Sequence, residues 1–126
     1  MSRRSRKITI PINRKTAEVF DEILHIPKKM MPDAKKDNEG WWSFTGPYGP
    51  AKLKFNENSQ LGILDHQYVD SEAKWDVPMR VVSSGDYSEV VITFFKPDHF
   101  SEELFNERTN EIQSMMENMK KIIEQN

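Results

Sequence analysis

The chain predicts an α+β fold: a curled antiparallel sheet of six to seven strands, two short helices after the first strand, and a long C-terminal helix that the sheet wraps. Three features of the sequence support this. Ser101 to Glu124 places Phe105, Ile112, Met116, Met119 and Ile123 on one face at helical spacing, flanked by Leu104, Met115 and Ile122, while Glu103, Glu107, Glu111, Glu117 and Lys121 fall mostly elsewhere. Near the other end, Ile8, Ile10 and Ile12 alternate with Thr9 and Pro11, the period of a strand with one buried face. Between Trp41 and Phe95 the chain alternates strand-like runs with turn residues.

Pro11 cannot donate to a ladder, so the first strand is expected at a sheet edge or locally unpaired. Thr16 to Leu24 then reads as a helix with Val19, Phe20, Ile23 and Leu24 inward, limited by Pro27. A short helical turn through Met30 and Met31 follows and stops at Pro32, and the polar stretch Asp33 to Gly40 reads as a loop. Trp41 to Thr45 and Ala51 to Asn56 flank the turn-rich Gly46-Pro47-Tyr48-Gly49-Pro50 and form a hairpin. Gly62 to Val69 and Lys74 to Val82 flank Asp70-Ser71-Glu72, and Ser83-Ser84-Gly85-Asp86 returns the chain into Ser88 to Phe95. Lys96-Pro97-Asp98 ends the last strand. Ser101 is the expected N-cap of the final helix, with Glu102 and Glu103 in its first turn and Lys120 and Lys121 near its end, as the macrodipole favours. Its residues reach roughly 36 Å at ~1.5 Å each, enough to cross a small sheet.

Composition narrows the function classes. A chain of 126 residues is the size of one domain. Eighteen basic against twenty acidic residues leave a formal charge of −2, which gives no general attraction to nucleic acid. The absence of cysteine excludes disulfides, thiolate metal sites and a Cys nucleophile. No apolar run approaches the ~20 residues that span a bilayer and no signal-peptide pattern is present, so a soluble cytoplasmic protein without membrane insertion is expected. Residues 1–6, with Arg3, Arg4 and Arg6, read as a basic mobile tail.

No metal or cofactor is expected. His25, His66 and His99 lie in different elements without ligand spacing. Gly46 to Gly49 lacks the Gly-Lys-Ser/Thr ending of a phosphate loop and precedes a strand. Trp41, Trp42 and Phe44 could stack bases, but only Lys52 and Lys54 lie nearby, so core or pocket lining is the better reading.

The order of elements, with Leu61-Gly62-Ile63-Leu64-Asp65-His66, Val77-Pro78-Met79-Arg80-Val81-Val82, Gly85-Asp86 and Ser88 to Phe95, resembles the SRPBCC group of the START and birch-pollen-allergen superfamily, which includes polyketide cyclase-like proteins. The resemblance spans Ile8 to the terminal helix. It implies a helix-grip fold with a hydrophobic pocket, and a small hydrophobic or amphipathic ligand held between sheet and helix. It also implies two alternatives, a cyclase-like or lyase-like enzyme and a co-chaperone-type module that binds another protein.

Tight turns at Asp70-Ser71-Glu72 and Ser84-Gly85-Asp86 would place Val77 opposite both Asp65 and Thr93. One face then carries Ile63, Asp65, Gln67, Trp75, Val77, Met79, Val81, Val91, Thr93 and Phe95, and its apolar run from Trp75 to Val81 marks it as the cavity side. Trp42, Phe44, Leu53 and Phe55 join it from the earlier hairpin, and Ile112, Met115 and Met119 face it from the helix. Asp65 and Thr93 would be polar groups in an apolar wall, able to orient a ligand. Asp65 would be the candidate acid or base, with Gln67 or Thr93 orienting the substrate. Alternatively, Asp65 bonds a nearby backbone or side-chain donor at a strand irregularity. His66, Asp76 and Arg80 would cluster on the opposite, solvated face.

Overall fold

In the computed structural model, which describes residues 4–125, the elements run β1 (Ser5–Ile12), α1 (Thr16–Leu24), α2 (Ile26–Met30), β2 (Lys35–Lys36), β3 (Trp41–Gly46), β4 (Gly49–Asn58), β5 (Ile63–Val69), β6 (Lys74–Val77), β7 (Met79–Ser84), β8 (Tyr87–Phe95) and α3 (Glu102–Glu124). The strands form one open antiparallel sheet in the order β1-β8-β7-β5-β4-β3-β2, and β6 pairs with β5. The predicted α+β plan holds, with eight strands where six to seven were expected. Two local features account for the difference. Lys35–Lys36 pairs with Ser43 and Trp42 as a short edge strand inside the expected loop. Pro78, which has no N–H to donate, divides the expected run Lys74 to Val82 into β6 and β7.

β1 is an edge strand, as Pro11 requires, and pairs along its whole length with β8. The span expected as a basic tail overlaps β1 at Ser5 and Arg6. Arg6 lies within β1, and its guanidinium donates to Thr109 Oγ1 at 3.0 Å and Gln113 Oε1 at 3.1 Å on α3, which orders the strand from Ser5. Residues 1–3 lie outside the described residues. α3 runs along β1, where Asn13 N–H donates to Glu124 Oε2 at 2.7 Å and Lys120 donates to the Pro11 carbonyl. Ser101 caps α3 by accepting from Leu104 N–H at 3.0 Å, and Glu102 and Glu103 occupy the first turn.

Both turns that set the sheet register differ by one residue from the lengths expected from the sequence. Four residues, Asp70 to Ala73, separate β5 from β6, because Asp70 Oδ1 accepts from both Glu72 N–H (2.9 Å) and Ala73 N–H (3.0 Å) and widens the turn. Only Gly85 and Asp86 separate β7 from β8, with Gly85 at a positive φ of 65°. His66, not Asp65, therefore faces Val77, and Met79 faces Ile92. The inward face carries Trp75, Val77, Met79 and Val81 as expected, joined by Leu64, Val90, Ile92 and Phe94. Asp65, Gln67, Thr93 and Phe95 turn outward, the last 54% exposed.

Trp75 sits at the centre of the main core. Its ring packs against Phe94 at 5.9 Å, Phe100 at 5.6 Å and Phe105 of α3 at 6.1 Å. A second, smaller cluster of Ala34, Trp42, Phe44 and Ala51 lies under the β3–β4 hairpin.

Candidate functional site

The two apolar clusters meet at Phe55 and Tyr68, which pack against both. Alternation along β4 and β5 turns Leu53, Phe55, His66 and Tyr68 to the same side of the sheet, since Leu53 pairs with Tyr68 and Phe55 with His66. Half-buried in the same way are Ile112 and Met116 of α3 and Met30 of α2, which pack against the main core, and Met31 just after α2, which packs against the smaller cluster. All eight side chains are half-buried, in contrast to the sealed core around Trp75. They form an apolar seam between the sheet and the middle of α3.

The β5–β6 turn is tied to α3. Arg108 of α3 grips Glu72 of the β5–β6 turn in a two-pronged ion pair, Nε to Oε1 at 2.7 Å and Nη2 to Oε2 at 2.8 Å. The Tyr48 ring, from the β3–β4 turn, stacks on the same guanidinium at 4.1 Å, and its hydroxyl bonds Glu111. This hydroxyl is pushed up to about 12, first by that carboxylate acceptor. Arg108 holds the Glu72 carboxyl below the usual carboxylate range. Tyr68, deeper in, donates to Asp70 at 3.0 Å. Two turns and the helix are thereby joined at a single arginine.

The other residues that the sequence pointed to fall into distinct places. Trp42 and Phe44 are buried in the small cluster, and Trp75, Val77, Met79 and Met119 are buried in the main core. Ile112 and Phe55 border the seam. Met115, 38% exposed, turns away from it. Asp65 and Thr93 require correction, because the altered turn lengths put both on the outer face. Asp65 Oδ1 accepts from Met79 N–H at 2.9 Å and pairs with Arg80, satisfying the backbone at the Pro78 break. This removes the premise for an acid or base role on a ligand inside the sheet. The expected His66-Asp76-Arg80 cluster does not form either: Asp76 bonds Gln67 on the outer face, while His66 faces inward. Periodicity alone could not find His66 as a seam residue, because the length of the β5–β6 turn decides which face of β5 is inside.

The two methionines singled out on α3 should respond in opposite ways to enlargement. Met119→Phe is expected to cost about 1–3 kcal/mol in urea unfolding, because the side chain is 1% exposed and close-packed. Met115→Phe should stay within about 0.5 kcal/mol of the parent, because its side chain reaches solvent.

Two surface clefts lie elsewhere. One of about 360 Å³ is bounded by Thr16, Phe20, Leu61, Gly62 and Val81, and another of about 270 Å³ by Pro11, Tyr87 and Lys120. Among the described residues no three His, Asp or Glu side chains are grouped to hold a metal ion, and no helix is long and apolar enough to cross a membrane.

No family model and no curated protein matches the chain by sequence. Solved structures do match it. The Aha1 dimer from Colwellia psychrerythraea superposes with a TM-score of 0.74 at 11% identity, covering 95% of this chain and 96% of that one. A START superfamily protein from Mycobacterium smegmatis gives 0.67 at 9% identity, covering 98% and 99%. Ara h 8.0201 gives 0.67 at 12% identity, covering 97% and 98%. At such identities the likeness is one of fold, and it extends over nearly the whole of each chain. Together with the open antiparallel sheet, the two short helices after β1 and the long helix α3, it shows that the chain has the SRPBCC, or START-like, helix-grip fold.

Proposed function

We propose that this protein binds a small hydrophobic or amphipathic molecule in the seam between the sheet and α3, at Phe55, Tyr68, Ile112 and Met116. The observation that carries this reading is the half-burial of those side chains, of which Phe55 and Tyr68 pack against both apolar clusters and Ile112 and Met116 against the main one. A ligand placed there would remove apolar surface from water at about 25 cal/mol per Å². Three methionines border the site, and their unbranched, polarisable side chains can shift to admit a guest without breaking secondary structure. The START-like fold is consistent with this use, although one fold hosts many functions.

Titration with methoxynaphthalene, followed by backbone amide shifts, tests the proposal. The expected result is saturable movement at Phe55, Tyr68, Ile112 and Met116. Met116→Trp, which fills the seam, should weaken binding at least ~10-fold while leaving the unfolding midpoint near that of the parent. Shifts confined to Thr16, Phe20 and Leu61 would place binding in the cleft beside α1 and reject the seam. Absence of saturable shifts both with methoxynaphthalene and with naphthol would reject the ligand-binding reading itself.

A further inference from the structure

His66 enters the seam from β5, between fully buried Leu64 and half-buried Tyr68. Its ring meets that of Phe55, its partner on β4, nearly edge-on at 5.4 Å. On the other side its strand partner is Val77, which is buried. The imidazole therefore stands in apolar surroundings. Nδ1 lies 3.0 Å from the Leu64 carbonyl oxygen. A carbonyl oxygen only accepts, so Nδ1 carries the proton of that bond, and in the neutral ring Nε2 is left with a lone pair. Burial keeps the ring neutral at physiological pH by holding it below its ordinary value of 6.5, against the opposing pull of the Leu64 carbonyl and Asp65.

Nε2 has no hydrogen-bond partner among the described residues. The one fully enclosed side-chain N or O atom among them that lacks a partner is Asn106 Oδ1, so the unpartnered Nε2 is not fully enclosed. Tyr68, the neighbouring polar group on the same strand face, has its hydroxyl committed to Asp70. His66 thus presents an oriented acceptor with no donor.

We propose that His66 Nε2 recognises a hydroxyl group on an otherwise apolar ligand, so that the seam selects neutral phenols and alcohols over ethers and hydrocarbons of similar shape. This rests on the ligand-binding reading above. An apolar guest that covers Nε2 strips water from the lone pair and returns nothing. An ether sets a second acceptor against it. A hydroxyl replaces the lost water with a hydrogen bond, and sites built around a buried polar group discriminate strongly against analogues that leave it unpaired.

The test compares naphthol with methoxynaphthalene, in which a methyl group replaces the hydroxyl hydrogen that would donate to Nε2. The unmodified protein should bind naphthol at least ~10-fold more tightly, and His66→Phe should bring the two within about twofold while keeping affinity for the ether. Nitrogen-15 imidazole shifts of the unmodified protein supply a readout that does not depend on the variant folding. They should report the Nδ1–H tautomer, and Nε2 should move on addition of naphthol but not of methoxynaphthalene. Equal affinity for the two probes, or a preference that survives His66→Phe, would overturn the role of His66 and leave the seam as a binding site. If neither probe binds, both this inference and the reading it rests on are overturned.

Discussion

Phe105→Ala should lower the free energy of unfolding by about 3–5 kcal/mol, the range for deleting a buried aromatic ring. Phe105 is fully buried and stacks on Trp75 with an interplanar angle of 18°. Phe94 and Phe100 hold the same indole from other directions. The ring is also the first buried side chain of α3 after the Ser101 cap, so the helix enters the core through it. Trp75 and Phe94 are held by strands and cannot collapse into the space, which puts the cost toward the upper part of the range. Urea unfolding monitored by tryptophan fluorescence would measure it. A loss under about 1 kcal/mol would mean that the centre of the core lies elsewhere.

Gly62→Ala should be the next most damaging change, costing on the order of 2–3 kcal/mol. Gly62 has a φ of +67°, and a Cβ added there would lie 2.5 Å from the Val81 carbonyl oxygen. That oxygen belongs to strand backbone and cannot swing aside. The two residues are also bonded directly, since Val81 N–H donates to the Gly62 carbonyl at 2.9 Å. Relieving the clash would therefore pull β5 from β7. Gly85→Ala is the control: its φ is +65° with nothing within 4 Å of an added Cβ, so only the left-handed strain of about 1–2 kcal/mol applies. Equal losses for the two variants would show that backbone conformation, and not the approach to Val81, governs the site.

The candidate site was only partly legible in the sequence. Apolar alternation identified Phe55 and the Trp75 to Val81 run as inward, and helical spacing put Ile112 and Met116 on the buried side of α3. Asp65, Gln67, Thr93 and His66 lie on the faces opposite to those expected, whereas Asp76 and Arg80 are on the outer face as expected. Asp65 and His66 are adjacent, and nothing local distinguishes which of them is inside, because a shift of one residue exchanges the faces of a strand. The Asp70 carboxylate decided the matter by taking two backbone N–H groups and lengthening the β5–β6 turn to four residues. Arg108, Glu72 and Tyr48 have the character of ordinary surface residues in the sequence. They lie on three separate elements, and no spacing along the chain reveals that they meet.

By itself the sequence determined the kinds of element and their order. The alternation of Ile8, Ile10 and Ile12, the edge position imposed by Pro11, the cap at Ser101 and the apolar face of α3 are local consequences of side-chain period and backbone chemistry, which act within a few residues. Tertiary structure alone decided the register of β5 and β8, the division at Pro78 and the extra edge strand at Lys35–Lys36. It also decided where burial is complete and where it stops. Trp75 is sealed because three aromatic rings from β8, the loop before α3 and α3 itself converge on it, whereas Phe55 and Tyr68, at the border of the two clusters, stay half-buried. Convergence of this kind depends on distances between elements far apart in the chain, which periodicity does not encode.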